Sequence, residues 1–274
     1  MANYIDFKRC FTITYGDQAE NHKGMQVIGE LAEKGFNLQD LLFAKNNFEK
    51  LGSICELIDL RDSVKDEEIK NNLDPAYVLI IRNGVGAILK DLKKTSDDMY
   101  DEQKVLDVDK KAKMYGRVVN KHARHNLCFS TESQEPDYEN GKGRIVSFDN
   151  VPLTNYVRNK IPEIIGQIGE NLQAEGNYYY DTSKCGIGYH GDSERLKVVA
   201  VRLGKTIPLC FLWFYKNKYV NGMTYINDFK NGDMYIMSEK ATGNDWKKKN
   251  IYTLRHSAGC EKYTSLPVPY TVNY

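Results

Sequence analysis

Residues 189–215 contain the clearest signal of the fold class: the polar stretch YHGDSE (189–194) is followed by the apolar runs LKVVAVRL (196–203) and IPLCFLWFY (207–215). Both runs are short, rich in β-branched and aromatic residues and separated by a glycine-containing turn, which predicts two strands. Similar short runs continue to the end of the chain, and helical patterns come mainly before Gly176. We therefore predict an α+β protein whose C-terminal part is an all-β sandwich or barrel.

The predicted domain organisation follows from the chain length and from one turn signal. A chain of 274 residues suits one large domain, or one domain with an appendage. Asp74-Pro75 marks the predicted boundary. Residues 1–73 are then a mixed α/β appendage of unknown role, and residues 74–274 are the main domain, with its β-rich core at about 177–270. Within it we predict an amphipathic helix at Ile161–Ala174, with Pro162 in its first turn, and a strand at Lys262–Val268.

Composition restricts the protein class only mildly. The formal charge is +1, from 38 basic and 37 acidic residues, so the chain has no global nucleic-acid or membrane signature. Six scattered cysteines without a C-x-x-C pair indicate reduced thiols. The N-terminus lacks the apolar segment of a signal peptide, and no apolar run approaches the roughly 20 residues that span a bilayer. We expect a cytoplasmic or nuclear protein that is not in a membrane.

A candidate metal site lies within the β-rich part. His190 and Asp192 flank Gly191 in the chain's single His-x-Asp, and His256 lies 66 positions downstream in another β-like run. Residues two apart in an extended chain face the same side, so the first two side chains can reach one ion. Two histidines and one carboxylate form the facial triad that holds Fe(II), although Mn or Zn fits the same ligands. A His–Asp hydrogen bond and a surface histidine are the alternatives.

Basic residues cluster between Arg117 and His125. Such a patch can contact phosphates, or it can be a solvated loop or sheet edge. Tyrosines near the triad offer ring faces on which a base can stack. The candidate substrate contacts are Arg117, Lys121, Arg124 and Tyr189.

Several motifs occur in the order found in one known family. They are Asn177-Tyr-Tyr-Tyr, Gly188-Tyr-His-Gly-Asp-Ser-Glu, Val201-Arg-Leu-Gly, Phe229-Lys-Asn-Gly-Asp, Leu254-Arg-His-Ser-Ala-Gly and Lys262-Tyr-Thr-Ser-Leu. With these motifs the stretch from 177 to 266 resembles the catalytic core of Fe(II)- and 2-oxoglutarate-dependent oxygenases, within them the AlkB-like branch. The resemblance covers about a third of the chain.

The resemblance implies a fold and a set of ligands. The fold would be a double-stranded β-helix, a jelly-roll variant, preceded by helices. Fe(II) would be held by His190, Asp192 and His256, and 2-oxoglutarate by Asn177, Tyr179 and Lys262. Lys262 replaces the arginine usual in this branch and follows His256 closely, so three other basic residues remain rival partners for the cosubstrate. These are Arg202, Lys184 and Arg255.

The resemblance also implies an activity. With O₂ and 2-oxoglutarate as cosubstrates, the protein would hydroxylate a substrate or demethylate it oxidatively. A base of DNA or RNA is the favoured substrate. The alternatives are a protein side-chain hydroxylase of the same superfamily, and a non-catalytic jelly-roll structural or binding module with a vestigial site.

Overall fold

The computed structural model describes residues 8–267, whose framework is a set of mainly antiparallel strands. The strands are β1 (Cys10–Gly16), β2 (Gln18–Glu20), β3 (Val27–Gly29), β4 (Cys55–Asp59), β5 (Tyr77–Ile81), β6 (Lys111–Met114), β7 (Arg117–Asn120), β8 (His125–Ser130), β9 (Ile145–Ser147), β10 (Gln173–Tyr179), β11 (Gly186–His190), β12 (Val198–Gly204), β13 (Leu209–Tyr215), β14 (Lys218–Ile226), β15 (Met234–Met237) and β16 (Thr253–Gly259). The α-helices are α1 (Leu38–Lys50), α2 (Glu67–Asn71), α3 (Gly84–Leu89), α4 (Ser96–Lys104), α5 (Pro152–Ile165), α6 (Glu239–Thr242) and α7 (Glu261–Thr264). Within the described residues, no helix has the length and apolar character that crossing a membrane requires.

Two sheets carry most of the strands. The larger has eight strands in the order β4-β5-β15-β12-β1-β10-β8-β9, and every neighbouring pair is antiparallel except β8 and β9. The smaller sheet is fully antiparallel, in the order β11-β16-β13-β14. The pairs β2-β3 and β6-β7 form separate hairpins. The prediction of a β-rich protein with additional helices is therefore confirmed.

Strand β1 lies in the middle of the larger sheet, although it belongs to the segment predicted to be an appendage. It is hydrogen-bonded to β10 on one side and to β12 on the other, so that Ile13 lies between Gly176 and Val201. Strand β4, also from the first 73 residues, pairs with β5 at one edge of this sheet. The predicted boundary at residues 73 and 74 therefore does not separate two sheets.

The larger sheet buries a different set of side chains on each face, because alternate residues of a strand point to opposite sides. Ile13 packs into a core shared with helices α1, α3, α4 and α5. Its neighbour Thr12 points to the other face and lines a cavity. A second apolar core, which includes Trp213 of β13, occupies the space between the two sheets. The molecule is thus layered as helices, larger sheet and smaller sheet.

Helix α5 begins and ends earlier than predicted. It spans Pro152–Ile165 rather than 161–174, so Pro162 lies in its last turn and not in its first. Pro152 stands at the start of the helix, where its missing N–H removes no intrahelical hydrogen bond. Gly166 ends the helix with a φ of 97°, a region that favours glycine. The chain then enters β10 instead of continuing as a helix.

The prediction of a strand at 262–268 is wrong for residues 262–267, the part of it that the structure describes. Strand β16 ends at Gly259, which has a φ of 126°. A Cβ at this glycine would lie 2.3 Å from the Cα of Gly186, so the close approach of the two backbones also requires glycine. After the turn the chain forms α7, a single helical turn that carries Lys262. Val268 lies outside the described residues.

The central position of β1 generates a test of stability. Ile13 has 0% exposure, and Ile13→Ala is expected to lower the free energy of unfolding by about 2–5 kcal/mol, since it leaves a cavity in the core. Urea unfolding followed by circular dichroism measures the change. Ile54→Ala makes the same chemical change at a side chain with 76% exposure and should stay within about 0.5 kcal/mol. Equal losses in the two variants would contradict a central role for β1.

Candidate metal centre

Strands β11 and β16 bring two predicted ligands together. His190, the last residue of β11, pairs directly with His256 of β16, so both side chains leave the smaller sheet on the same face. Their ring centroids are 4.5 Å apart, with 60° between the ring planes. The register of the two strands shifts between Ile187 and His190. Such irregularities re-aim side chains next to functional sites.

Asp192 completes the cluster. Its Oδ1 lies 3.6 Å from Nε2 of His190 and 3.6 Å from Nε2 of His256. One potential ligand atom from each of the three residues lies within 4.8 Å of the other two. Ligand atoms that bind one ion at about 2 Å lie about 3–4 Å apart, so this cluster can hold a metal ion with small adjustments.

A hydrogen bond at Nδ1 of His190 leaves Nε2 free to act as a metal ligand. Nδ1 lies 2.8 Å from the carbonyl oxygen of Gly188, which can only accept a hydrogen bond. We therefore assign the proton to Nδ1, which leaves the lone pair of Nε2 facing Asp192. In His256 the Nδ1 atom is buried and has no hydrogen-bond partner among residues 8–267.

The charge state of the cluster suits a metal. Burial raises the pKa of Asp192, but the neighbouring His256 and Arg195 together hold it well below its ordinary value. Burial lowers the pKa of His256 and keeps its ring neutral. Nε of Arg195 lies 3.8 Å from Oδ2 of Asp192, and the same guanidinium pairs with Glu175 and Glu194. An ionised carboxylate and a neutral imidazole are the forms that coordinate metals.

Residues 190–195 include two of the three candidate ligands and are called the ligand loop. The end of α6 and the segment after it hold the backbone of this loop. The amide of Asp192 donates to the carbonyl of Thr242 at 2.9 Å. The side-chain amide of Asn244 lies 3.3 Å from the carbonyl of Asp192 and 3.2 Å from that of Ser193. Trp246 donates its indole N–H to the hydroxyl of Ser193 at 2.9 Å. The loop is therefore fixed by contacts outside its own strand.

The triad forms part of the wall of a cavity of about 310 Å³ between the two sheets. On the larger sheet, Thr12 lies beside Asn177 on one side and Arg202 on the other, and all three side chains line this cavity. Oγ1 of Thr12 and Nε of Arg202 are buried, and neither has a hydrogen-bond partner within the described part of the chain. Buried polar atoms normally have partners, so this pair is suited to a polar ligand.

The residues predicted to hold 2-oxoglutarate do not all reach the cavity. Asn177 and Tyr179 line it. Oδ1 of Asn177 already accepts hydrogen bonds from Nε of Arg124 at 2.5 Å and from the side-chain amide of Asn126 at 2.9 Å. Lys262 is exposed on α7 and absent from the cavity wall, because the chain turns away from the sheet after β16.

Of the three rival basic residues, Arg202 lines the cavity. Lys184 is exposed and pairs with Asp181 at 3.0 Å. The guanidinium of Arg255 lies 4.0 Å from the ring of Phe214 and is not part of the cavity wall. Arg202, on β12 of the larger sheet, therefore places a cation in the cavity opposite the triad. Lys262 does not.

The predicted basic patch is divided in the structure. Arg117 is exposed on the β6-β7 hairpin. The ammonium of Lys121 donates to Oδ1 of Asn21 at 2.6 Å, and burial lowers the pKa of Lys121 to about 8. Arg124 lines the cavity. Of the three basic side chains proposed to contact substrate, Arg124 is the one at the site.

Tyr189, the fourth predicted substrate contact, points away from the cavity. It precedes His190 in β11 and therefore faces the other side of the smaller sheet. Its hydroxyl donates to the carbonyl of Thr264 at 3.1 Å, and its ring lies 6.3 Å from that of Phe214. This placement gives Tyr189 a packing role.

Several cavity residues were not identified from the sequence, among them Thr12, Lys23, Arg195 and Trp246. Thr12 alternates with apolar residues in β1, and this period of two indicates that it faces the side of the strand opposite to Ile13. For the other three no local pattern points to the site, because tertiary contacts bring them there.

The ligand loop depends on a contact between two glycines. A Cβ at Gly191 would lie 2.0 Å from the carbonyl oxygen of Gly243. Gly191→Ala is therefore expected to displace His190 and Asp192 and to weaken Fe(II) or Mn(II) binding at least tenfold, as measured by titration calorimetry. Gly188→Ala adds the same methyl group where no atom lies within 4 Å and keeps the backbone carbonyl that contacts His190, so it should bind metal normally. Unchanged affinity in Gly191→Ala would show that this contact does not position the ligands.

Comparison with known proteins places the chain in a family. No protein-family model matches it. It is 46% identical over 259 residues to "Uncharacterized protein R156" of Acanthamoeba polyphaga mimivirus, and the match covers 94% of this chain and 98% of that protein. Identity at this level along nearly the whole of both chains shows common ancestry. The chain therefore belongs to the same family as the mimivirus protein.

Proposed function

We propose that this protein is an Fe(II)- and 2-oxoglutarate-dependent dioxygenase. The observation that carries the proposal is a single cavity whose wall contains both the His190–Asp192–His256 cluster and Arg202, whose Nε has no hydrogen-bond partner among residues 8–267. A metal site and an anion site in one cavity suit a dicarboxylate that chelates a metal. The two sheets that face each other across it are compatible with a jelly roll, and we include that fold in the proposal.

The donor set fits Fe(II). Two neutral imidazoles and one carboxylate bind from one side and leave positions open for a cosubstrate and O₂. When bound, Fe(II) with 2-oxoglutarate and O₂ supplies the oxidising chemistry that hydroxylates a C–H bond and yields succinate and CO₂. The residues of the chain hold the ligands in place: Arg195 lies beside the carboxylate of Asp192, and Gly188 orients the ring of His190.

The larger sheet offers a site for the distal carboxylate of 2-oxoglutarate. Arg202 provides a planar donor set that matches a carboxylate, which lysine does not. Thr12 pairs with it across the strands and adds a hydroxyl. Tyr179 lines the same cavity. We therefore assign to Arg202 the role that the resemblance implied for Lys262.

A nucleic-acid base is the substrate that we favour. Trp246 lines the cavity, and the ammonium of Lys23 lies 5.0 Å from the centre of its ring. Arg124 adds a second cation to the wall. An aromatic ring beside cations suits a base and its phosphates. Hydroxylation of an N-methyl group would release formaldehyde and leave the demethylated base.

Anaerobic addition of Fe(II) and 2-oxoglutarate tests the cofactor assignment. We expect a weak visible charge-transfer band with the native protein and none with His190→Ala, which lacks a ligand. His122→Ala, at an exposed histidine, should keep the band. No band from folded native protein would refute the oxygenase proposal and favour a vestigial site. Where a band forms, succinate release with DNA, RNA or peptide identifies the substrate class, and stimulation by peptide alone would refute the nucleic-acid choice.

The roles of Arg202 and Lys262 can be separated by substitution. Arg202→Ala removes charge-assisted hydrogen bonds of about 1.5–3 kcal/mol, so 2-oxoglutarate should bind about 10- to 150-fold more weakly. Fe(II) affinity should change little, and Arg202→Lys should recover part of the loss. Lys262→Ala should match the native protein, because this side chain is exposed outside the cavity. The reverse pattern, measured with the same titration, would return the role to Lys262.

A further inference from the structure

A second concavity of about 880 Å³ lies at one end of the smaller sheet and shares no lining residue with the metal cavity. Its wall is formed by the start of α2, the β13-β14 hairpin and the residue before β16. We call it the hairpin groove. Its lining includes Lys65, Asp66, Tyr215, Lys216, Lys218 and Tyr252.

The hairpin turn holds one of these residues, Lys216, in the left-handed backbone region. Lys216 and Asn217 have φ values of 49° and 62°, and they form the two-residue turn between the paired residues Tyr215 and Lys218. Asparagine tolerates the left-handed region, but lysine there costs roughly 1–2 kcal/mol. Glycine or asparagine would relieve this cost. Strain of this kind is often retained where a side chain has a function.

The groove combines ring faces with positive charge. The rings of Tyr215 and Tyr252 lie 4.8 Å apart at 31°, and the ammonium of Lys216 lies 5.3 Å from the Tyr215 ring. Three lysines face one carboxylate, that of Asp66, which already caps α2 by accepting from the amide of Ile69 at 3.1 Å. The salt bridges within residues 8–267 do not include any of these lysines, so their charge is available to a ligand.

A basic segment joins the groove to the metal cavity. Trp246 lines the cavity and Tyr252 lines the groove. The residues between them include three exposed lysines in succession, 247–249. Tyr252 precedes His256 by four residues, which corresponds to about 13 Å of extended chain. A polyanion bound in the groove would therefore continue over basic surface toward the triad.

We propose that the hairpin groove binds single-stranded nucleic acid, DNA or RNA, with bases stacked on Tyr215 and Tyr252 and phosphates beside Lys216 and Lys218. Aromatic platforms interleaved with lysines are the usual means of holding a single strand without reading its sequence. An acidic peptide would pair with the lysines but would make no use of the two ring faces. The groove goes beyond the proposed oxygenase reaction, because its ligand requires neither metal nor 2-oxoglutarate.

Fluorescence anisotropy of the metal-free protein with labelled oligo-dT and oligo-U 12-mers tests this site. Lys216→Ala/Lys218→Ala should weaken binding at least tenfold and reduce the slope of log K against log salt by about 1.4, since about 0.7 is lost per phosphate contact. Tyr215→Ala should weaken binding about 5- to 150-fold, the equivalent of 1–3 kcal/mol of stacking, and Tyr215→Phe should restore it. The DNA and RNA arms show which strand is preferred.

The matched control is Lys50→Ala/Lys90→Ala, which removes two exposed lysines from the helical side of the larger sheet and should leave affinity unchanged. Urea unfolding confirms that each variant is folded. The proposal is overturned if the native protein binds neither oligo-dT nor oligo-U. It is also overturned if the control variant weakens binding as much as the groove variants, or if poly-glutamate competes as well as an unlabelled oligonucleotide. Because no step needs iron, an inactive or metal-free triad does not affect these outcomes.

Discussion

Strand β1 holds the larger sheet together, because it is hydrogen-bonded to β10 on one side and to β12 on the other. Without β1, the block β10-β8-β9 would lose its connection to the block β12-β15-β5-β4 in the larger sheet. The two faces of this strand also serve two purposes. Ile13 is buried in the core beneath the helices, and Thr12 stands between Asn177 and Arg202 in the cavity wall. One strand therefore sets both the main core and the floor of the candidate site.

A buried ionic cluster ties the ligand loop to this floor. Arg195 follows the His-Gly-Asp sequence, is 3% exposed, and pairs with Glu175 on β10. The same guanidinium contacts Glu194 and approaches Asp192. A buried ion pair is a weak source of net stability, but removing one partner typically costs 3–5 kcal/mol because a charge is left uncompensated. The cluster fixes the position of Asp192, because Arg195 connects this carboxylate of the ligand loop to Glu175 on the larger sheet.

Sequence patterns were sufficient to identify the His190–Asp192–His256 cluster and insufficient for the cavity around it. His190 and Asp192 could be recognised because alternation within one extended segment places them on one side. The pairing of Thr12 with Arg202 could not, since register between distant strands depends on the whole sheet. Lys262 was misplaced for a related reason. At the turn, Gly259 packs against the backbone of Gly186, which is distant in sequence. A pattern of neighbouring residues cannot predict such a contact.

The environment of Arg202 bears most directly on what the cavity holds. This side chain is 3% exposed, and its guanidinium lies 5.2 Å from the ring of Phe229 and 5.5 Å from that of Tyr235. Cation–π contacts of this kind contribute up to about 2 kcal/mol when desolvated, whereas burying an unpaired charge costs several kcal/mol. The rings and a 4.0 Å contact between Nη1 and Sγ of Cys10 offset only part of the cost, and Nε has no partner among residues 8–267. An anion supplied from solution would offset the remaining cost, and the candidate metal ligands His190, Asp192 and His256 in the same cavity favour an anion that can also chelate a metal.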